Sequence, residues 1–271
     1  MNVGDVRHVI KEIMSDRIRL LKVLSFLSVT FIVTACQHEP VEPEPAPPVP
    51  TTGTLRLEIV PQWEGGPFTL NSIRTNVSDY RVKVEFLKMY LGDVRLMNGN
   101  DSTILDDIEL FNFSNSPVVA EWPAAPGTWS VFRAGLGVPS RLNDADPIVY
   151  PPGHPLDLNN GTWWTWASGY RFVIFDGRYD TNANGTGSPI SPFSMHTGMN
   201  AVYREFDLAL GNGVTITAGN TSTLTLNMAV DRFFYSATDT LDLVTENQTH
   251  GENIPLALEL TDNVVGSFSV D

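Results

Sequence analysis

The chain of 271 residues has a single cysteine, Cys36, so no disulfide framework and no thiolate metal cluster can form within it. Histidine is scarce. Of five, His8 and His38 precede the region with folding capacity, which leaves His154, His196 and His250. Basic residues are few, with 17 Lys and Arg against 31 Asp and Glu, for a formal charge of −14. Such a surface repels nucleic acid and anionic lipid and favours cations or basic partners. The apolar run from Val23 to Ala35 is too short to span a bilayer comfortably. Nucleophile elbow, phosphate loop, zinc-protease motif and dinucleotide fingerprint are all missing. Acids such as Asp106, Asp107 and Asp176 are present, but no carboxylate pairing for glycoside hydrolysis can be read from their order.

That apolar run follows Arg17, Arg19 and Lys22 and ends in "VTAC". This is the pattern of a bacterial lipoprotein signal over residues 1–36, with Cys36 the lipidated residue. Residues 37–53 are rich in Pro and Glu and offer nothing to bury, as expected of an extended tether. Five of the basic and three of the acidic residues fall in the leader, so the remainder holds 12 basic against 28 acidic residues. A lipid anchor on the outer membrane or the periplasmic face of the envelope is the expected location, with no other membrane contact.

Residues 54–271 suit one all-β domain, an antiparallel β-sandwich with long loops and little helix. "TLRLEIVP" at 54–61 alternates Leu55, Leu57 and Ile59 with polar residues, as a half-buried strand does. "YRVKVEFLKMYLGDVRL" at 80–96 reads as two strands around a bulge or bend at Gly92. Gly219-Asn220 reads as a hairpin turn. The loops at 112–127 and 139–160 are long, and helix is expected only in the last thirty residues or so.

Three of the six tryptophans, Trp163, Trp164 and Trp166, fall within four positions of "GTWWTWASGY". In a strand Trp164 and Trp166 share one face and Trp163 takes the other. Core packing, sugar stacking and a redox role beside a metal all use such clusters. His196, in "SPFSMHTGM", lies between Met195 and Met199, and imidazole with thioether suits copper, above all Cu(I). "DTNANG" spaces Asp180, Asn182 and Asn184 two apart before Gly185, like the opening of a calcium loop. Ser191 stands where the bidentate Glu would be, and a flexible Gly/Asn loop is the competing reading.

The order of five segments is similar to that of the MbnP-like copper-binding protein family: "FLKMYLGDVRL", "GTWSVFRAGLGVPSRLN", "WWTWASGYRFVIFDG", "FSMHTGM" and a C-terminal "TH" followed by "LTDNVVGSF". The resemblance covers essentially all of residues 54–271 and is most specific at the Trp-rich segment. It implies a secreted or periplasmic β-rich copper-binding protein, a carrier rather than an enzyme. It further implies a tryptophan oxidised to kynurenine by a di-haem cytochrome peroxidase-like partner, with Trp166, then Trp164 and Trp163, as candidates. His196 corresponds to the family's His-x-Gly segment and His250 to a later His; His154 is a candidate third ligand. Family members often carry a cysteine soon after the first of these, where this chain has Met199. The alternative to copper binding is a cell-surface glycan- or peptide-binding lipoprotein that uses the Trp cluster.

Overall fold

A computed structural model describes residues 50–165, 167–251 and 253–270. The leader, Cys36, most of the tether and Trp166 therefore lie outside the described residues. Two mixed, largely antiparallel sheets pack face to face around one large apolar core. The smaller sheet holds β1 (Gly53–Trp63), β2 (Gly66–Pro67), β6 (Val118–Ala124), β12 (Thr221–Ala229) and β14 (Phe268–Val270). Its backbone is β1, which pairs in parallel with β12 and antiparallel with β6. The period-2 pattern is obeyed closely: Leu55, Leu57 and Ile59 are buried, while Arg56, on the opposite face, meets Glu121 across the ladder at 2.7 Å.

The larger sheet is built on β4 (Arg81–Asn98), flanked by β7 (Gly127–Leu136) and β9 (Gly169–Asp180). Beyond these lie β10 (Ser191–Gly198) and β13 (Gln248–Thr249) on one side and β11 (Arg204–Ile216) on the other. β3 (Ile73–Thr75) and β5 (Asp101–Asn112) also pair with β4, and β8 (Trp163–Thr165) pairs with β9. Phe175, Phe193, Phe233 and Phe234 are packed together at the centre of the interface, with ring centroids 5.1–5.9 Å apart. A second apolar cluster, around Tyr90, Tyr170, Phe172 and Leu156, supports the long loop 139–160.

Three local expectations need correction. Residues 81–98 form one continuous strand rather than two, and the irregularity at Gly92 is absorbed as a shift in register. Gly92 is needed there because a Cβ would lie 2.5 Å from the Pro139 ring. Gly219-Asn220 does not close a hairpin, because β11 and β12 belong to different sheets; the turn is a corner between layers, held by Thr54 N–H donating to the Asn220 carbonyl. The segment 112–127 is not all loop, since β6 lies within it. Helix is confined mainly to Ile254–Gly266, with Pro255 in its first turn and the Asn253 side chain capping Leu256 N–H. None of the helices among the described residues is long and apolar enough to cross a membrane.

Candidate functional site

Alternation along β9 and β10 sorts their side chains between core and outer face. Phe175, Phe193 and Met195 point inward and are buried, whereas Asp176, Ser194 and His196 emerge on the other side. Register then brings them together: Ser194 pairs with Asp176 on β9, and on the other flank with Gln248 on β13. Ser194 N–H also donates to the Asn247 carbonyl, fixing the approach of the segment that ends in His250. Gln248 and His250, two residues apart, therefore lie beside Ser194 and His196.

The result is a polar cluster around two imidazoles whose ring centroids are 4.9 Å apart. His196 Nε2 lies 2.9 and 3.1 Å from the two carboxylate oxygens of Asp176. Ser194 Oγ donates to Asp176 Oδ1 at 2.8 Å and stands 3.1 Å from His250 Nε2 and 3.4 Å from His196 Nε2. The Gln248 amide nitrogen is 3.1 Å from His250 Nδ1. A carboxylate only accepts, so the His196–Asp176 contact is a hydrogen bond donated by the imidazole. The His196 side chain is 13 % exposed and so largely shielded from bulk water.

Trp164 closes one side. Its ring stands edge-on to both imidazoles, with centroids 6.2 Å from His196 and 6.0 Å from His250. The Arg171 guanidinium covers the indole, 5.5 Å from its centroid. Gly251 permits this approach: its φ is +95°, and a Cβ there would lie 3.3 Å from Trp164 and 3.8 Å from the Met199 sulfur. Met199 is thus at the rim, whereas Met195, the other flanking thioether, is wholly in the core.

The remaining candidates have other company. His154 stacks on Tyr150 at 4.6 Å, and its Nδ1 accepts from Leu156 N–H. Trp163 packs edge-on against Tyr170 in the second apolar cluster, with centroids 5.0 Å apart. Asp180 accepts from Asn182 N–H and pairs with Arg81 at 3.1 Å, while Asn182 accepts from Asn184 N–H. A guanidinium thus already supplies the cation in that loop. Sequence reading missed the roles of Asp176 and Ser194. Ser194 was signalled by its place two residues before His196; Asp176 required the β9–β10 register.

Among the described residues, no three or more His, Cys, Asp or Glu side chains are gathered into a ready-made metal cluster. Two converging imidazoles with a carboxylate in contact are nonetheless a donor set that fits copper, for which imidazole is a preferred ligand. A sugar platform fits less well. Of the described cluster residues, Trp164 has a face under Arg171 and Trp163 faces the other way. The cleft beside Met199, lined also by Asn143, Ser168, Gly169 and Asn200, is about 220 Å³. That is smaller than the roughly 300 Å³ at which organic-ligand pockets begin.

Two packed β-sheets bearing a paired-imidazole face under an indole define a class of β-sandwich with a candidate metal-binding surface. The family model of MbnP matches residues 52–253, and the chain belongs to the MbnP family. Proteins of this family are associated with copper and methanobactin systems and are generally non-catalytic binding proteins. Among solved structures, MbnP from Methylosinus trichosporium is similar at 13 % identity, with a TM-score of 0.48 over 70 % of this chain and 80 % of that one. No curated protein matches.

Proposed function

We propose that this chain is a copper-binding protein of the cell envelope, held to the membrane through lipid on Cys36, in which His196 and His250 are the protein's imidazole ligands. The observation that carries this reading is the convergence of two histidines, 54 positions apart in sequence, to ring centroids 4.9 Å apart on one shielded face. The excess of acidic residues adds a long-range attraction for cations. Trp164, edge-on to both rings, is the described indole best placed for oxidation to kynurenine, with a di-haem cytochrome peroxidase-like protein as the oxidising partner. Its modified ring would then border the bound ion.

The test is metal analysis and peptide mass spectrometry on protein purified from its native host, with His196→Ala and His250→Ala alongside. Each variant is expected to lose tight copper binding while its far-UV circular dichroism is unchanged. The mass gain of kynurenine is expected on the peptide containing Trp164. Wild-type protein that stays metal-free after copper loading would sink the reading. Wild-type copper affinity in either variant would remove that histidine from the ligand set.

A further inference from the structure

We propose that Asn212 is a site of spontaneous covalent modification, where attack by the next backbone nitrogen converts the side-chain amide to isoaspartate and aspartate. The reaction needs no metal and none of the residues around His196 and His250.

The chemistry favours a glycine after the asparagine. With no Cβ in the way, the glycine nitrogen can reach the asparagine Cγ. A C–N bond forms, the side-chain nitrogen leaves as ammonia with the glycine N–H proton, and a five-membered succinimide remains. Water then adds to one of the ring carbonyls. Opening at one side restores the original main chain as aspartate; opening at the other routes it through the side-chain carbons as isoaspartate. No oxidant or reductant takes part.

The sequence offers four Asn-Gly pairs, at 98–99, 160–161, 184–185 and 212–213, and the fold restrains the first three. Asn98 is held at both ends of its amide: Nδ2 donates to the Thr128 carbonyl at 3.1 Å, and Oδ1 accepts from Ser130 Oγ at 3.2 Å. Asn160 Nδ2 donates to the carbonyls of His154 and Pro155 at 3.0 and 2.8 Å. Its would-be nucleophile is engaged as well, since Gly161 N–H donates to the Leu158 carbonyl. In the third pair Gly185 N–H donates to the Asn182 carbonyl at 2.8 Å. Each of these pairs must break a hydrogen bond before the ring can close.

Asn212 has no such restraint. It is exposed, and its side chain has no hydrogen-bond partner among the described residues. The β11–β7 register lapses between Ala209 and Val214, so neither Asn212 nor Gly213 has a partner residue across the ladder. On the other flank, a Cβ at Gly211 would meet nothing within 4 Å. A cleft of about 250 Å³ between this bulge and β12, lined also by Leu224 and Val270, gives the amide room to turn. Isoaspartate lengthens the main chain by one carbon. The bulge absorbs that without disturbing the paired residues on either side of it.

The experiment incubates the full chain in mildly alkaline buffer, with and without guanidinium, for as long as the unfolded chain needs to convert its Asn-Gly pairs. Peptide mass spectrometry reads each pair, and chromatography separates isoaspartyl from aspartyl peptides. Unfolded, the four rates are expected to converge. Folded, Asn212 is expected to convert at least about fivefold faster than any other pair, the factor that one retained hydrogen bond imposes. The aged wild type should gain a more anionic species on ion exchange with unchanged far-UV circular dichroism, and Asn212→Gln should lack that species. Conversion of Asn98, Asn160 or Asn184 as fast as that of Asn212 in the folded protein would overturn the proposal. So would an Asn212 that survives in the folded chain while the unfolded chain converts it.

Discussion

Gly169 is where the Trp-bearing hairpin is joined to the sheet, and replacing it with alanine tests that joint. Its φ is +70°, and a Cβ would lie 2.1 Å from Asn143 Oδ1 and 2.5 Å from the rest of the amide. Asn143 has nowhere to go. It is 4 % exposed, its Oδ1 accepts from Tyr170 N–H at 2.8 Å, and its Nδ2 donates to Asn200 at 2.9 Å. Placing an L side chain in the left-handed region costs about 1–2 kcal/mol. Pushing the Asn143 amide away leaves buried polar groups unpaired, for about 1–3 kcal/mol more.

The two costs can be separated. Gly187 has a φ of +78° with nothing within 4 Å of its would-be Cβ, so Gly187→Ala carries the backbone cost alone. Guanidinium unfolding followed by circular dichroism should find Gly169→Ala the less stable of the two by about 1–3 kcal/mol. In an Asn143→Ala background the excess should shrink, because the clash has gone. Equal stability of the two glycine variants, within about 0.5 kcal/mol, would refute the claim that Asn143 locks the hairpin in place.

Two further outcomes are expected. Tyr90→Phe should cost about 1–3 kcal/mol in the same assay, since the buried hydroxyl bridges the Pro155 carbonyl at 2.8 Å and Thr162 Oγ1 at 2.7 Å, just before Trp163. Asp207 is held below its ordinary value of 3.8 by hydrogen bonds from Arg133, helped by that residue's charge. A depressed folded-state value means that the stabilisation is present above pH 3.8 and is lost as pH falls through the lower folded value. The acid limb of stability should therefore flatten in Asp207→Asn. With the pair's side chains 36 and 47 % exposed, the difference should be at most about 1 kcal/mol and should shrink in high salt. An unchanged acid limb at low salt would count against the pairing.

Strand identity was legible wherever one face is buried, because alternation is then strict. Leu55, Leu57 and Ile59 of β1 needed no tertiary information. Where the chain leaves one sheet for the other, local signals mislead. Gly219-Asn220 has hairpin chemistry, and nothing nearby in sequence says that the next strand pairs with β1 instead of β11. The candidate site was half legible for the same reason. Scarcity drew attention to all three domain histidines, and the resemblance to the family's His-x-Gly segment and later His put His196 and His250 ahead of His154. Asp176 was visible only as one acid among 31, and its relevance depends on a register that pairs it with Ser194. Met195 shows the converse: adjacent to His196 in sequence, it is carried to the opposite face by the pleat and spends its sulfur in the core.

That last contrast bears on how the site is held. Asp176, Ser194 and His196 are the outward members of strands whose inward members, Phe175, Phe193 and Met195, are anchored between the sheets. A slip of β10 by one residue against β9 would send Ser194 and His196 toward the core and expose Phe193 and Met195, which burial forbids. His250 is fixed by the short parallel pairing of β13 with β10, again through Ser194 and Met195. The spacing of these polar groups is therefore a consequence of core packing on the other side of the same strands.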